Sequence, residues 1–203
     1  MNKNQALLLL QNFQTRFIRP LSIHLEPNAC LGLYGSSGSG KSLLLRAIAD
    51  LDVNSGEIFL DDKPRNRFSG PQWRRKVALL PAESHWWGDV VREHSQEWPE
   101  DLLQQMGFSA DVLAWQTNRL STGEKQRLAL VRMLASQPTI LLLDEPTANL
   151  DKKNSSNVER LIQDYLQLYR SAAIWVSHAP EQLQQVATRR AYMSDGHFVP
   201  EES

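Results

Sequence analysis

The chain has 203 residues, a formal net charge of −1 and a pI near 6.5. Hydrophobic residues make up 41% and charged residues 22%, which is typical of one packed globular domain and excludes a disordered chain. The near-neutral charge argues against a dedicated nucleic-acid binder, and the apolar runs fall short of the ~18 residues that cross a bilayer. We therefore expect a cytosolic protein, or one attached to a membrane only through a partner.

The first eighty residues predict an alternation of strands with one helix. The apolar runs that predict strands lie at residues 7–10, 21–25, 29–34, 56–60 and 76–80. The first two are short and separated by polar residues, which favours antiparallel pairing, whereas 29–34 is a buried-strand pattern that runs into a glycine-rich loop. Apolar residues at helical spacing between 43 and 51 predict the helix that follows this loop.

The second half of the chain returns to alternating strands and helices after a segment of different composition. Residues 83–119 are rich in tryptophan and helix-like in patches, without a clear strand pattern. The elements predicted beyond them are a helix at 124–136, a strand at 139–144, a helix at 155–169, a strand at 172–177, a short helix, and a hairpin turning at 195–196. We predict an α/β fold with a mostly parallel sheet, in which 1–82 and 120–203 form the core and 83–119 an inserted small helical subdomain.

The glycine-rich loop at residues 35–42 reads GSSGSGKS and matches the pattern GxxxxGK[ST]. A predicted strand precedes it and a predicted helix follows, so its backbone N–H groups and the helix N-terminus favour the binding of phosphate. Lys41 supplies a positive charge to the β- and γ-phosphates, and the Ser42 hydroxyl is a ligand for Mg²⁺. The residues predicted to bind the nucleotide here are Gly35, Ser36, Ser37, Gly38, Ser39, Gly40, Lys41, Ser42 and Leu43.

A second exposed helix N-terminus is predicted where residues 120–127 read LSTGEKQR. Ser121 and Glu124 are spaced as a capping box, which starts a helix, and Gly123 leaves the backbone open to approach. Because the N–H groups of a helix N-terminus attract anions, this segment predicts a second contact with phosphate.

Two adjacent carboxylates follow the apolar run at residues 140–143, which predicts a buried strand. Ligands of open α/β sheets bind beyond the carboxyl ends of the strands, so Asp144 and Glu145 are predicted to face the nucleotide. Asp144 is placed to hold Mg²⁺, directly or through water, and Glu145 to orient or deprotonate an attacking water molecule.

In their order and content, residues 120–151 resemble the signature motif, Walker B motif and D-loop of ABC ATPases, and the resemblance covers essentially the whole chain. His178, which follows the predicted strand at 172–177, matches the switch histidine of that family. The resemblance implies a RecA-like P-loop NTPase fold with an antiparallel β part near the N-terminus, ATP and Mg²⁺ as ligands, and ATP hydrolysis. It also implies a transmembrane permease subunit as partner, attachment to the inner face of the cell membrane through that partner, and no nucleic acid.

In this family two nucleotide-binding domains, identical or different, dimerise head to tail around two ATP molecules. Carried over to this sequence, Lys41, Glu145 and His178 act as catalytic groups within one subunit. Ser121 and Gly123 then contact the γ-phosphate of the ATP held by the other subunit. ATP joins the two subunits, and its hydrolysis releases them.

An aromatic residue ahead of the phosphate loop is expected to stack on adenine in this family. Phe13 and Phe17 both fit this description, and Phe17 is favoured. Either residue is equally consistent with a place in the hydrophobic core.

Three positions depart from the family pattern: Ala82, Thr122, and Glu124, which stands where glutamine is common. The family usually has glutamine after the strand predicted at 76–80, where it reaches Mg²⁺ and the attacking water, but this chain has Ala82 followed by Glu83. Alanine has no polar side-chain atom, so only Glu83 can substitute, after a shift of one residue. The signature motif has Thr122 where glycine is usual, and a β-branched residue restricts the backbone that approaches phosphate.

Five of the six tryptophans fall in the region where ABC transporters form the groove that receives a helix of the membrane subunit. They are Trp73, Trp86, Trp87, Trp98 and Trp115. Large aromatic residues anchor protein interfaces, but they also fill the cores of small domains. We expect both uses, with Trp86 and Trp87 as the exposed pair.

Two other functions share these motifs. A soluble ABC ATPase that acts on nucleic acid or ribosomes typically carries two cassettes, coiled-coil insertions or basic extensions, which this sequence does not show. A regulatory module that holds ATP with little turnover is left open by Ala82 and Thr122. The transporter subunit is the favoured hypothesis.

Overall fold

The computed structural model of the protein describes residues 6–201, within which the strands form two sheets. The smaller sheet contains β1 (Leu8–Gln14), β2 (Leu21–Leu25), β4 (Ser55–Leu60) and β5 (Lys63–Pro64). Its strand order is β2-β1-β4-β5, and all its pairs are antiparallel. The antiparallel part predicted near the N-terminus is thereby confirmed.

The larger sheet carries the site. It contains β3 (Cys30–Tyr34), β6 (Val77–Leu80), β7 (Ile140–Asp144), β8 (Ala172–Val176), β9 (Arg189–Ser194) and β10 (His197–Pro200). The strand order is β10-β9-β3-β8-β7-β6, and every pair is parallel except β9 with β10. Every residue of β7 and β8 is buried, as expected of central strands covered on both faces.

Helices surround this sheet. They are α1 (Lys41–Ile48), α2 (Gly70–Lys76), α3 (Glu100–Gln105), α4 (Thr122–Ala135), α5 (Lys152–Tyr169) and α6 (Pro180–Val186). Helices α4 and α5 begin earlier than predicted, because Ser121 and Asp151 cap their N-termini. Helix α2 was not predicted, and since it ends at Lys76, strand β6 begins one residue later than expected. Among residues 6–201, none of these helices is long and apolar enough to traverse a bilayer.

Each central strand contributes to two hydrophobic cores, one on each face of the sheet. In β7, Leu141 and Leu143 join the core that contains α4 and α5, whereas Ile140 and Leu142 join the core that contains α1 and the smaller sheet. This alternation follows from the two-residue period of a strand. It fixes the register of β7 and therefore the position of the carboxylate at its end.

The tryptophan-rich segment 83–119 contains α3 and three short 3₁₀ helices, at Val91–His94, Ala110–Ala114 and Thr117–Arg119. Its buried apolar residues, such as Val91 and Met106, belong to the same core as α4. The segment is thus less regular than a helical bundle, and the division of the chain into a core and an inserted subdomain stays a prediction.

Three neighbouring strands end at the same edge of the larger sheet, since β3, β8 and β7 are adjacent and parallel. Two backbone hydrogen bonds tie the chain just beyond these ends. The N–H of Glu145 donates to the carbonyl of Val176 at 3.1 Å, and the N–H of Ser177 donates to the carbonyl of Leu33 at 3.2 Å. The loops that follow the three strands therefore start from one rigid edge, where ligands of α/β sheets bind.

Candidate nucleotide site

The loop of residues 35–42 takes a shape that its glycines permit. Gly35 has a φ of 148° and Gly38 a φ of 77°, both in the region that side chains disfavour. A Cβ atom on Gly35 would collide with the backbone carbonyl oxygen of Met193, whereas a Cβ on Gly38 would have nothing within 4 Å. Only glycine therefore fits at position 35, because the loop lies directly against Met193 of β9 there. Gly38 lies on the open side of the loop.

Lys41 is held inside this loop by three hydrogen bonds. Its Nζ donates to the carbonyl oxygens of Gly35 and Ser36 at 2.8 Å each, and to Ser39 Oγ at 3.4 Å. Burial lowers the pKa of Lys41, while the nearby carboxylates of Glu145 and Asp144 act in the opposite direction. The ammonium group is therefore fixed where the loop closes, as a phosphate-binding lysine requires.

The hairpin of β9 and β10 supports the loop from the other side. Asp195 and Gly196 form its two-residue turn with φ angles of 47° and 75°, as the sequence predicted. The N–H of Gly196 donates to the carbonyl of Ser39 at 3.1 Å, and the carbonyl of Gly196 accepts from the N–H of Arg19 at 2.9 Å. This support was not predicted, because the residues involved are more than 150 positions apart in the chain.

Asp144, at the tip of β7, is only 8% exposed. Burial raises the pKa of its carboxyl group, and a side-chain hydrogen bond with Ser42 and the charges of Lys41 and His178 work against this rise. Among residues 6–201, no lysine or arginine forms an ion pair with Asp144. Its oxygens therefore remain available for a ligand.

Glu145 follows in a left-handed backbone conformation, with a φ of 50°. Its Oε1 atom lies 3.5 Å from Nε2 of His178 and is buried without a hydrogen-bond partner in the described part of the chain. Burial raises the pKa of Glu145, an effect that the neighbouring His178 reduces and the neighbouring Asp144 increases. A non-glycine residue in this conformation is strained, and such strain is common at functional sites.

The segment at the start of α4 forms the predicted capping box. Ser121 Oγ accepts from the N–H of Glu124 at 3.3 Å, and Glu124 Oε2 accepts from the N–H of Ser121 at 2.8 Å. Gly123 also has a role within its own chain. A Cβ at this position would lie 3.0 Å from Leu150 Cδ2 and 3.2 Å from the carbonyl oxygen of Asn149, so the glycine makes room for the D-loop of its own chain.

The two candidates for adenine stacking are separated by the structure. Phe13 is fully buried in the core of the smaller sheet, so it is not available to a ligand. Phe17 is 64% exposed, with the guanidinium of Arg16 5.5 Å from its ring centre. The backbone of Phe17 also packs against Gly196 in the turn that supports the phosphate loop. Phe17 thus lies beside the loop with its ring exposed.

The position that departs from the family pattern lies on the loop after β6. Ala82 is half-buried and Glu83 is exposed. The carbonyl of the preceding Pro81 accepts a hydrogen bond from Nε2 of Gln126 at 3.1 Å, which anchors this loop to α4. Gln126 was missed by sequence reasoning, although a glutamine buried at the core-facing side of a helix signals a backbone partner.

The tryptophans are divided between core and surface, but not as predicted. Trp87 is 72% exposed and Trp115 is 41% exposed, whereas Trp73 is fully buried in α2. The expectation that Trp86 is exposed was wrong, because its ring packs against the main core and lies 4.8 Å below the guanidinium of Arg132. The same guanidinium lies 5.1 Å from the ring of Trp87.

A glycine-rich loop with an enclosed lysine, followed by a helix and faced by acidic residues at the end of a parallel strand, defines a P-loop nucleoside triphosphatase. A sequence model described as "ABC transporter" matches residues 18–148. The chain therefore belongs to the ABC transporter family, and it is an ATP-binding subunit with ATPase activity.

Relatives in this family cover most of the chain. It is 32% identical to the lipoprotein-releasing system ATP-binding protein LolD of Acinetobacter baylyi, over 90% of this chain and 88% of that protein. It is 35% identical to the aliphatic sulfonates import ATP-binding protein SsuB 3 of Nocardia farcinica, over 90% of this chain and 72% of that protein. Its fold matches the structure of cbiO1 from Clostridium perfringens, with a TM-score of 0.78 and 20% identity over 96% of this chain and 87% of that one.

Proposed function

We propose that this protein is the energy-coupling ATPase of a transporter whose membrane-spanning part is a separate permease polypeptide. The relatives named above are ATP-binding proteins of a lipoprotein-releasing system and of aliphatic sulfonates import, and cbiO1 is described as part of an ABC transporter complex. The observation that carries the proposal is that Lys41, Asp144, Glu145 and His178 meet at one edge of the sheet. In the cell it lies in the cytoplasm, attached to the inner face of the membrane through the permease.

The phosphate loop binds the triphosphate. Backbone N–H groups of residues 35–42 and the N-terminus of α1 attract the negative charge of the β- and γ-phosphates. Lys41 adds a full positive charge, and because the loop carbonyls already hold its ammonium, little side-chain entropy is lost when phosphate binds. Adenine stacks on the exposed ring of Phe17.

Glu145 acts as the general base of hydrolysis. Its raised pKa makes it a better proton acceptor than an ordinary carboxylate, and His178 lies close enough to orient it. A water molecule gives its proton to Glu145 as its oxygen attacks the γ-phosphorus. The bond between that phosphorus and the β–γ bridging oxygen breaks, so ADP and phosphate are the products.

The residues fit a magnesium ion held together with the nucleotide. The Ser42 hydroxyl and the buried Asp144 carboxylate are linked by a hydrogen bond, and both are oxygen ligands of the kind that Mg²⁺ prefers. Among residues 6–201, no cluster of three or more acidic, histidine or cysteine side chains holds a metal without the nucleotide. When bound, the ion would neutralise charge on the β- and γ-phosphates.

The second half of each ATP site comes from another subunit. Ser121 and Gly123 stand at an exposed helix N-terminus, and the contacts of Gly123 tie this segment to residues 149–150 of the D-loop. In a head-to-tail dimer these groups reach the γ-phosphate bound by the other subunit, as in the family that the chain belongs to. ATP then stabilises the dimer, and hydrolysis weakens it.

The permease docks in a groove between α4 and β6, which is a cavity of about 430 Å³. Its lining includes Leu79, Pro81, Arg132 and Met133. One guanidinium nitrogen of Arg132 is buried without a hydrogen-bond partner in the described chain, and burial lowers the pKa of this residue. A carboxylate on a helix of the permease would satisfy this cation.

The proposal is tested by comparing wild type with Glu145→Gln. Wild type is expected to hydrolyse ATP, and the variant to lose roughly a hundredfold or more in rate, because it lacks the base. Size-exclusion chromatography in MgATP is expected to show the variant as a stable dimer. Glu100→Gln, a change at an exposed carboxylate on α3, serves as control and keeps the wild-type rate.

Two results contradict the proposal. The first is hydrolysis by Glu145→Gln at the wild-type rate, which excludes Glu145 as the base. The second is a wild type that binds ATP but neither hydrolyses it nor dimerises, with or without its permease, which favours a regulatory ATP-binding module.

A further inference from the structure

One side chain, that of Gln182 in α6, joins the two loops that carry Glu145 and His178. Its Nε2 donates to Thr147 Oγ1 at 2.8 Å and to Glu159 Oε1 at 2.6 Å. Its Oε1 accepts from the hydroxyl of Ser177 at 3.0 Å. Every polar atom of the amide therefore has a partner, and the partners come from three different elements.

The network allows only one orientation of the amide. With oxygen and nitrogen exchanged, the Gln182 oxygen would face the carboxylate of Glu159, and two acceptors would meet without a proton between them. The observed orientation instead gives Glu159 a charge-assisted hydrogen bond, which is shorter and stronger than a neutral one.

Two of the three partners of Gln182, Ser177 and Thr147, hold the catalytic loops in shape. Ser177 Oγ accepts from the N–H of Ala179 at 3.1 Å, which closes the turn around His178. Thr147 lies two residues after Glu145, in a turn closed by a hydrogen bond from the N–H of Ala148 to the carbonyl of Glu145 at 3.0 Å. A displacement of Gln182 therefore moves both loops.

We infer that Gln182 is a positioning residue for ATP hydrolysis, which sets the 3.5 Å separation between Glu145 Oε1 and His178 Nε2. The inference rests on the proposed roles of these two residues. Gln182 and Glu159 line a cavity of about 560 Å³ that also contains Glu145 and His178 on its wall, so the network borders the site directly. The hydrogen bonds of Gln182 do not involve the phosphate loop, so it acts on turnover rather than on ATP binding.

The test exchanges donor and acceptor across one hydrogen bond. Gln182→Glu places two carboxylates against each other and is expected to lower kcat about tenfold with little change in KM for ATP, since misplaced catalytic groups lose one to two orders of magnitude. Adding Glu159→Gln restores a donor opposite the new acceptor, and the double variant is expected to recover most of the wild-type kcat. Gln184→Glu makes the same chemical change at an exposed position of α6 and serves as control.

Melting temperatures are measured on all four proteins, so that a positioning role is separated from a structural one. The inference is overturned if Gln182→Glu keeps the wild-type kcat, or if the double variant recovers the melting temperature but not kcat. It is also overturned if KM for ATP rises as much as kcat falls. Failure of the proposed function shows independently, as retained activity in Glu145→Gln.

Discussion

The Oε1 atom of Glu145 lies 3.5 Å from Nε2 of His178 and has no hydrogen-bond partner within residues 6–201. Burial removes water from this carboxylate, and the protein does not replace the lost hydrogen bonds of its Oε1 atom. This arrangement disfavours the charged form of Glu145, which is why its pKa is raised. The same feature that makes Glu145 a better base therefore costs the folded protein stability.

The first prediction is that Glu145→Gln melts at a higher temperature than wild type at neutral pH without nucleotide. The ordinary pKa of 4.5 applies to the unfolded chain, and the folded value is higher. Between the two values the folded state binds more protons, so wild-type stability falls as pH rises through this window. Glutamine does not titrate and escapes this loss. We expect a gain of about 2–4 °C, which corresponds to roughly 1 kcal/mol in a chain of this size.

The gain should shrink as the pH is lowered and vanish below the ordinary pKa, where wild-type Glu145 is protonated in both states. Asp144 and Lys41 face Glu145 and are present in both proteins, so their contributions largely cancel in the difference. Differential scanning fluorimetry from about pH 4 to about pH 8 measures it. A variant less stable than wild type at neutral pH contradicts the prediction.

The second prediction compares two glycines of the phosphate loop. Gly35→Ala is expected to destabilise the fold by about 3 kcal/mol or more, because its Cβ would overlap the Met193 carbonyl in a backbone that cannot yield. Gly38→Ala meets open space, so only the positive φ counts against it, at about 1–2 kcal/mol. Urea unfolding of both variants measures the difference. Equal losses would show that β9 does not press against the loop.

The third prediction concerns the surface that faces the permease. Trp87→Ala is expected to weaken membrane association by roughly 2 kcal/mol, because exposed tryptophans commonly anchor interfaces and Trp87 lies beside Arg132 at the groove. Trp115→Ala removes another exposed ring, one that does not stack on the groove residue Arg132, and should leave association unchanged. Co-sedimentation with membranes containing the permease measures both. Equal behaviour of the two variants contradicts the docking site.

The fourth prediction concerns the loop after β6. Ala82→Gln supplies the side chain that the family usually carries there, and we expect kcat to rise about fivefold, the effect of ~1 kcal/mol of transition-state stabilisation. Glu83→Gln tests the alternative that the neighbouring carboxylate has taken over the role, in which case its kcat falls. Steady-state ATP hydrolysis separates the two. If neither change alters kcat, this loop takes no part in turnover.

Much of the fold followed from local patterns. Three motifs each combine a backbone requirement with a chemical one: the phosphate loop, the apolar strand before Asp144 and the capping box at Ser121. Few residue types satisfy both requirements, so these motifs can be recognised in the sequence. The same holds for the Asp195-Gly196 turn. From these motifs we could predict the main strands of the larger sheet, the helices that follow them and the main candidate residues.

The sequence could not show contacts between distant segments. The orientation of Trp86 depends on Arg132, which lies some distance along the chain, and no local pattern reveals that pairing. Helix α2 was missed because Gly70 and Pro71 resemble a turn, although Ser69 and Gln72 form a capping box that signals a helix start. Phe13 and Phe17 are alike in sequence terms, and only packing distinguishes the buried ring from the exposed one.

Because the β9–β10 hairpin supports the phosphate loop, the nucleotide site cannot be completed until this hairpin has been synthesised. A ribosome that has polymerised residues 1–180 has already made Lys41, Glu145 and His178, but not Met193 or Gly196, against which the loop is built. ATP therefore cannot stabilise the growing chain through a finished site. The nucleotide pocket is completed only when β9 pairs with β3 and β10 pairs with β9, so the ability to bind ATP marks a chain whose sheet is complete.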